Sequence, residues 1–344
     1  MLTVTDRTDV LIIGGGIAGL TLAKFLSEDG VDFILLEADE QFYGKACGEG
    51  ITYSLCGYDF FDLYESKKGI ERVTERFIIR TGRGDINANI LNINTNKGAV
   101  EEELSRQARM KGADIRMGEK VRVLKEEGDR IVVQPQDIAA KVVVGADGFG
   151  SIVRSFMGIK KPKKFGVASS GHWSGVEPGG ECIAEFKKSV ADYGYAWWFP
   201  RKTDWNIGVG TVRPKLFRSQ FESFKRRYPE VNDWRTAVVP LSKPLKSFGK
   251  NSILVGDSAS QVIALMADGI LPGMICAKLA AETLMELSKH GFVNRDLSQY
   301  ERAWKKVIGN MFNNGYIAFN LMTTLYFSEY LLHKFMMVLE KMYK

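Results

Sequence analysis

Two groups of residues in this 344-residue chain have the types and spacing for chemistry. The first is glycine-rich: Gly14, Gly16 and Gly19 fill a G-x-G-x-x-G pattern directly after the apolar run Val10 to Ile13. An acid, Glu37, closes a second apolar run, Phe33 to Leu36, and lies 37 − 14 = 23 residues beyond Gly14. In such a turn the first glycine permits the sharp bend, the second lets backbone amides reach a pyrophosphate, and the third lets helix and strand pack closely. The acid is placed to accept hydrogen bonds from a ribose diol. The second group is aromatic: Tyr195-Ala-Trp197-Trp-Phe199-Pro200, then, after residues 201–207, Gly208-Val-Gly210. On a strand, Tyr195, Trp197 and Phe199 share one face and can wall an apolar channel, with Gly208 and Gly210 on a partner strand leaving room for a chain. Taken alone, the first group also reads as a turn without a ligand and the second as a sheet face packed into its own core.

Two further segments bear on the cofactor. Ala146-Asp147-Gly148-Phe149-Gly150-Ser151, with Arg154, and Gly256-Asp257 each place an Asp-containing turn after a buried apolar run. NAD and FAD both suit a turn like Gly14 to Gly19, and no second G-x-G-x-x-G supplies a separate nicotinamide domain.

Composition excludes several classes. The chain is 45% hydrophobic and 26% charged, an ordinary globular balance. Its basic excess, 47 − 41 = 6, is too diffuse to argue nucleic acid. Cys47, Cys56, Cys182 and Cys276 form no CxxC pair and have no histidine at ligand spacing, so no metal is expected, and the last three read as packing residues. Acidic residues precede the first apolar run, unlike a signal peptide, and free thiols favour the cytoplasm.

The elements that must position these residues follow from periodicity. Strand, glycine turn, helix (Leu20 to Leu26) and strand predict a parallel pair with a right-handed crossover. A helix is expected over 98–111, a strand at Ile115 to Met117, a hairpin over 121–134 and a buried strand at Lys141 to Gly145. Residues 164–212 alternate between glycines and aromatics, as an antiparallel sheet does, and 215–228 return to helix. Ser252 to Val255 reads as a strand, 270–288 as a long helix, and the C-terminus as helices. The apolar stretch Gly315 to Phe327 is interrupted by Asn320, Thr323 and Thr324 and falls short of the ~20 residues of a membrane span. Residues 311–343 are expected to pack over the channel mouth and present Lys334, Lys341 and Lys344 to headgroups, which would make the protein peripheral on the inner face of a membrane.

With its two Asp turns in this order, the chain resembles the flavoprotein hydroxylase and geranylgeranyl reductase group, in which both turns face FAD and the second aspartate binds the ribityl chain. Lys97 stands where that group has an arginine, with Glu101 four residues on in place of an aspartate, keeping the charge without the planar fork. Gly44-Lys45-Ala46-Cys47-Gly48-Glu49-Gly50 resembles the KxCG motif of archaeal geranylgeranyl reductases, and Tyr195 to Gly210 matches that family's aromatic motif at every position. The likeness runs from Val10 to about Glu282.

The resemblance implies an α/β fold: a Rossmann-like FAD-binding domain (1–55, 95–160, 250–295) interleaved with an antiparallel-sheet substrate domain (56–94, 161–249), plus C-terminal helices (296–344). It implies that FAD is held by Gly14, Gly16, Ala18, Gly19, Glu37, Cys47, Gly48, Gly50, Lys97, Val121, Asp147, Gly148, Gly256, Asp257, Gly269 and Ile270. A polyprenyl lipid would lie against Tyr195, Trp197, Phe199, Pro200, Gly208 and Gly210. The expected activity is an FAD-dependent reduction of geranylgeranyl double bonds in lipid precursors, with NAD(P)H or a ferredoxin-like protein as electron donor. Cys47 is the first candidate for a catalytic proton donor, a small packing residue being its plainer role. An FAD monooxygenase or halogenase, and a non-catalytic prenyl-binding protein, would use the same scaffold. One departure bears on the choice: Ile263-Ala264 replaces the family's Asn-Pro, and Ala267 and Asp268 replace two glycines. An ionised Asp268 would oppose negative charge on reduced flavin unless it caps the following helix and points away.

Overall fold

Val10, Leu11 and Ile12 are fully buried, apolar on both faces, as a parallel strand covered by helices requires. In the computed structural model, which describes residues 6–43 and 45–342, they lie at the centre of a seven-stranded sheet. Gly44 and Lys344 lie outside the described residues. Strand Asp6–Ile13 pairs in parallel with Phe33–Leu36 on one side and Ile138–Gly145 on the other. Asp114–Arg116 and Ser252–Leu254 extend the parallel set outwards, and the hairpin Val123–Glu127 with Arg130–Gln134 joins it antiparallel. Parallel strands end on one side, so Gly14, Glu37, Asp147 and Asp257, each just past a strand, converge there. Helix Ile17–Glu28 packs on this sheet in one core with helices Lys97–Met110 and Ile270–Ser288, through Leu20, Ala23, Leu104, Ala277 and Leu284.

The second sheet runs Arg235–Pro240, Phe165–Trp173, Trp205–Thr211, Gly194–Pro200, Glu181–Phe186, Ile70–Thr81, Gly84–Thr95 and Gly50–Thr52. It departs from a purely antiparallel sheet at one pair: Glu181–Phe186 runs parallel to Ile70–Thr81. That long hairpin arrives from an earlier stretch of chain and adds to the sheet across a distant connection. The register sets Trp197 opposite Gly208 and Tyr195 opposite Gly210. A Cβ on Gly208 would stand 2.1 Å from Cζ2 of the Trp197 indole. The expectation that Gly208 leaves room for a bound chain is therefore corrected: the room is taken by the indole itself.

Helices Gly309–Leu325 and Glu329–Met342 cover one face of this sheet, where Phe319, Met322, Tyr326, Leu332 and Met336 join Phe77, Ala184 and Phe186 in a common core. The Tyr326 hydroxyl donates to the Ala191 carbonyl at 2.7 Å, and His333 Nδ1 lies 2.8 Å from the Thr81 hydroxyl. No helix among the described residues is long and apolar enough to cross a membrane. Cys182 and Cys276 are buried as expected, but Cys56 is exposed at φ 52°, because it sits at the tip of a small separate hairpin, Ser54–Leu55 with Tyr58–Asp59.

Gly208→Ala forces the indole of Trp197 aside and should destabilise the fold by about 1–3 kcal/mol, read as a lower denaturant midpoint. Gly180→Ala, whose Cβ meets nothing within 4 Å, should stay within about 0.5 kcal/mol of the parent.

Candidate functional site

A cavity of about 680 Å³ runs between the two sheets, from the glycine turn to the aromatic strand. Its lining includes Gly14, Gly16, Ala18, Glu37, Lys97, Val121, Asp147 and Gly148 at one end. Cys47, Gly48, Gly50, Asp257, Gly269 and Ile270 also line it, as do Tyr195, Trp197, Phe199 and Gly210. Four of the residues singled out in the sequence stand behind the wall instead. A Cβ on Gly19 would lie 2.0 Å from the Gly14 carbonyl oxygen, and one on Gly256, at φ 69°, 3.1 Å from Ala18 Cβ. Pro200 is buried at the strand end opposite Trp205, and Gly208 is packed against Trp197.

The glycine-turn end fits an FAD. Gly14 takes φ 108°, and a Cβ there would stand 2.4 Å from the Ala146 oxygen, so the turn closes against the neighbouring strand. Gly16 faces open space, and helix Ile17–Glu28 starts from it with no capping side chain and no acid in its first turn. Its free amides and the positive end of its dipole therefore face the cavity. Glu37 accepts hydrogen bonds from the amides of Gly15 and, at 2.9 Å, Asp39. Asp147 Oδ2 accepts from the Ile152 amide at 2.7 Å, while Oδ1 is buried without a partner; burial pushes this carboxyl upwards. Asp257 pairs with the Lys45 ammonium; burial works against that cation, and Asp257 more than compensates, raising its pKa. Arg154 is fully buried and donates to the carbonyls of Phe149, at 2.7 Å, and Ser258, at 3.2 Å. It ties the Asp147 turn to the Asp257 turn.

The centre of the site was not apparent from the sequence. Glu49, at φ 60° and 1% exposed, receives the Lys97 amide on Oε1 at 2.8 Å. On Oε2 it receives Asn206 Nδ2 at 3.0 Å and Arg201 Nη1 at 3.1 Å, and His172 Nε2 lies 3.1 Å away. The other imidazole nitrogen of His172 lies 2.6 Å from Asp233 Oδ2. Asn206 also donates to the Cys47 carbonyl at 3.0 Å and accepts from the Trp197 indole at 2.9 Å. Burial alone would raise the Glu49 carboxyl, but His172 and Arg201 hold it below the usual range. Burial likewise opposes the His172 cation, and Glu49 overrides it, so that His172 is raised. The signal in the sequence was an acid between two glycines, Gly48-Glu49-Gly50, with Arg201 just beyond Pro200.

The groups between the two ends decide what the cavity can do. Burial, partly offset by Lys97, pushes the Cys47 thiol up to about 11, so it keeps its proton at neutral pH. Asp268 accepts from the Thr52 hydroxyl at 2.6 Å and lines the cavity, and the amide of Ile270, the first residue of the following helix, also bonds to its carboxylate. The expectation that Asp268 caps that helix and points away is corrected in its second part: it touches the helix start at Ile270, but Thr52, on the adjoining strand, holds it in the cavity lining. Burial raises its carboxyl pKa despite the Thr52 bond, which favours the neutral acid and weakens the expected conflict with reduced flavin. Ala267 adopts φ 54°, so the turn keeps a left-handed backbone although its glycine is replaced. Lys97 is paired with Glu101, which also accepts the Tyr43 amide at 2.9 Å. At the apolar end the Tyr195 phenol donates to the Met266 carbonyl at 3.2 Å, and Phe199 meets Phe77 edge-on at 5.7 Å. A Cβ on Gly50 would stand 2.9 Å from the Phe199 ring.

The family described as "FAD binding domain" matches residues 7–54 and 87–239. Among curated proteins, the chain is 27% identical over 334 residues to digeranylgeranylglycerophospholipid reductase 2 of Methanothermobacter thermautotrophicus, covering 88% of this chain and 84% of that one. It is 26% identical over 348 residues to digeranylgeranylglycerophospholipid reductase of Methanosarcina acetivorans, covering 89% and 82%. Among solved structures, a geranylgeranyl bacteriochlorophyll reductase-like protein from Thermoplasma acidophilum superposes with TM-score 0.82 at 19% identity, covering 96% of this chain and 90% of the other. PqsL of P. aeruginosa, solved with 2-aminobenzoylacetate, gives 0.75 at 15%, covering 96% and 100%. These structural likenesses show the fold.

Gly16→Ala places a methyl at the uncapped start of helix Ile17–Glu28, in the cavity lining; it should lower bound flavin, measured by absorbance, while stability changes by no more than about 0.5 kcal/mol. Glu49→Gln removes one counter-charge of Arg201 and His172, which keep Asp204 and Asp233, and should cost roughly 1–3 kcal/mol in urea unfolding. Because the folded Glu49 is depressed, its contribution is present above the ordinary carboxylate value of about 4.3 and is lost as pH falls through the lower folded value. The part carried by the raised His172 is present below about 6.5 and lost as pH rises through its folded value. A stability–pH profile of the Gln variant should be flatter on both limbs.

Proposed function

The chain belongs to the FAD binding domain family and is an FAD-dependent oxidoreductase, and from that premise we propose that it saturates isoprenoid double bonds of a geranylgeranyl-type lipid precursor. The observation that carries the reading is the continuity of the cavity, which joins an FAD-fitting turn to an apolar wall of Tyr195, Trp197 and Phe199 with protic side chains between. The names of the curated relatives, digeranylgeranylglycerophospholipid reductases, support the substrate class.

Gly14, Gly16 and the start of helix Ile17–Glu28 would hold the pyrophosphate, Glu37 a ribose, and Asp257, oriented by Lys45, the ribityl chain. Reduced FAD, when bound, supplies hydride. Trp197, locked by Asn206, and Phe199, seated over Gly50, exclude water from the channel and orient an apolar chain along it. An unactivated alkene accepts hydride poorly, so a proton must reach its other carbon. Cys47 Sγ and the Asp268 carboxyl both line the cavity; the thiol, pushed up to about 11, is a weak acid, and burial moves the carboxyl, oriented by Thr52, towards its protonated form, which makes it the better donor. The Glu49 cluster acts by fixing the Cys47 loop and the Trp197 strand.

Incubation of the reductively loaded enzyme with a geranylgeranyl lipid, followed by mass spectrometry, tests the reading: the product gains two hydrogens per double bond. Asp268→Asn should retain FAD and slow turnover by about 100-fold or more. Wild-type turnover should also decline as pH rises through the raised Asp268 value. An oxygenated or halogenated product would overturn the reductase reading, and an undiminished Asp268→Asn would move the proton source to Cys47.

A further inference from the structure

Thirteen large hydrophobic side chains are exposed among the described residues, and six of them fall in the short stretch 317–338: Ile317, Leu321, Phe327, Tyr330, Leu331 and Val338. Their spacing makes this a surface rather than a scatter. Ile317 and Leu321 lie four apart on the outer side of helix Gly309–Leu325, whose other side buries Phe312, Phe319 and Met322. Leu331, Lys334 and Val338 follow at helical spacing on Glu329–Met342, opposite buried Leu332 and Met336. Phe327, 63% exposed, projects from the turn between the two helices.

Cations flank these apolar groups. Lys188 donates to the Phe327 carbonyl at 2.7 Å, Lys334 lies 5.8 Å from the Tyr330 ring, and Lys164 and Lys243 lie 5.6 and 5.8 Å from the Tyr316 ring, one residue before Ile317. None of these four has a carboxylate partner among the described residues. A second copy of this chain is a poor occupant, because a symmetric contact would bring the same cations together in a protein of net charge +6. An anionic lipid surface satisfies both features at once, accepting the apolar side chains between headgroups and pairing with the lysines. The inner sides of the same two helices line the cavity through Phe319, Met322 and Met336.

We propose that helices Gly309–Leu325 and Glu329–Met342 seat the protein on an anionic bilayer, inserting Ile317, Leu321 and Phe327 with lysines in the headgroup layer. The seat would place the apolar cavity wall next to the membrane that holds a prenyl lipid, a role that rests on the functional reading above. Cosedimentation of the full-length holoprotein with vesicles tests it. Binding is expected to phosphatidylglycerol–phosphatidylcholine vesicles, to weaken with salt, and to be much poorer on phosphatidylcholine alone. The double variant Leu321→Ser/Phe327→Ser should lower partitioning by about tenfold with bound flavin and melting temperature unchanged. Lys188→Glu/Lys334→Glu should abolish the preference for anionic vesicles. Partitioning unchanged by both variants overturns the inference, and so does a wild-type dimer that Phe327→Ser dissociates. Turnover of detergent-solubilised substrate without vesicle binding would sink this inference alone, whereas vesicle binding without turnover would sink the reductase reading alone.

Discussion

A buried carboxylate holds the two halves of this molecule's cavity in register. Glu49 sits where the chain leaves the first sheet and enters the second, and an ionised group there is tolerated only with its charge and lone pairs satisfied. Lys97, at the start of a helix of the first layer, supplies an amide; His172, Arg201 and Asn206, from or just beyond three strands of the second sheet, supply the rest. Because no single element could satisfy it, the carboxylate forces these elements together. Cys47 and Trp197 are then placed through one shared side chain, Asn206.

Around that centre, glycine and aromatic residues are matched in pairs. Gly208 accommodates the Trp197 indole and Gly50 the Phe199 ring. The aromatic wall depends on absent side chains as much as on present ones, since close packing leaves no slack for an added methyl. The turn before helix Ile270–Ser288 shows the opposite solution: Ala267 accepts a left-handed backbone, and the adjacent Asp268 finds Thr52. A substitution that looked disruptive adds an acid to the cavity while the backbone path is kept.

Much of the scaffold was legible because its signals are local. The glycine turn, Glu37 at the end of the next strand, the Asp147 and Asp257 turns and the alternating aromatics each occupy a few adjacent residues, and periodicity places them on the right elements. The Glu49 cluster was not legible, because Glu49 is separated from His172, Arg201 and Asn206 by more than a hundred residues along the chain and only the paired strands bring them together. The same holds for the parallel pairing of Glu181–Phe186 with Ile70–Thr81, which no local pattern encodes. Gly208 was misread for a related reason: its neighbour across the strands, the Trp197 indole, fills space that a single strand leaves empty. The exposed Cys56 shows that a thiol's place depends on the hairpin that carries it.

The central claim is that one cavity brings a reduced flavin and an isoprenoid chain together with a protein acid, so that electrons pass directly to carbon. Anaerobic stopped-flow mixing of the reduced holoenzyme with a geranylgeranyl lipid, followed at the flavin absorbance band, addresses this most directly. The account predicts flavin reoxidation in the absence of oxygen, at a rate that rises with lipid concentration and saturates. A flavin that stays reduced until oxygen is admitted would contradict it.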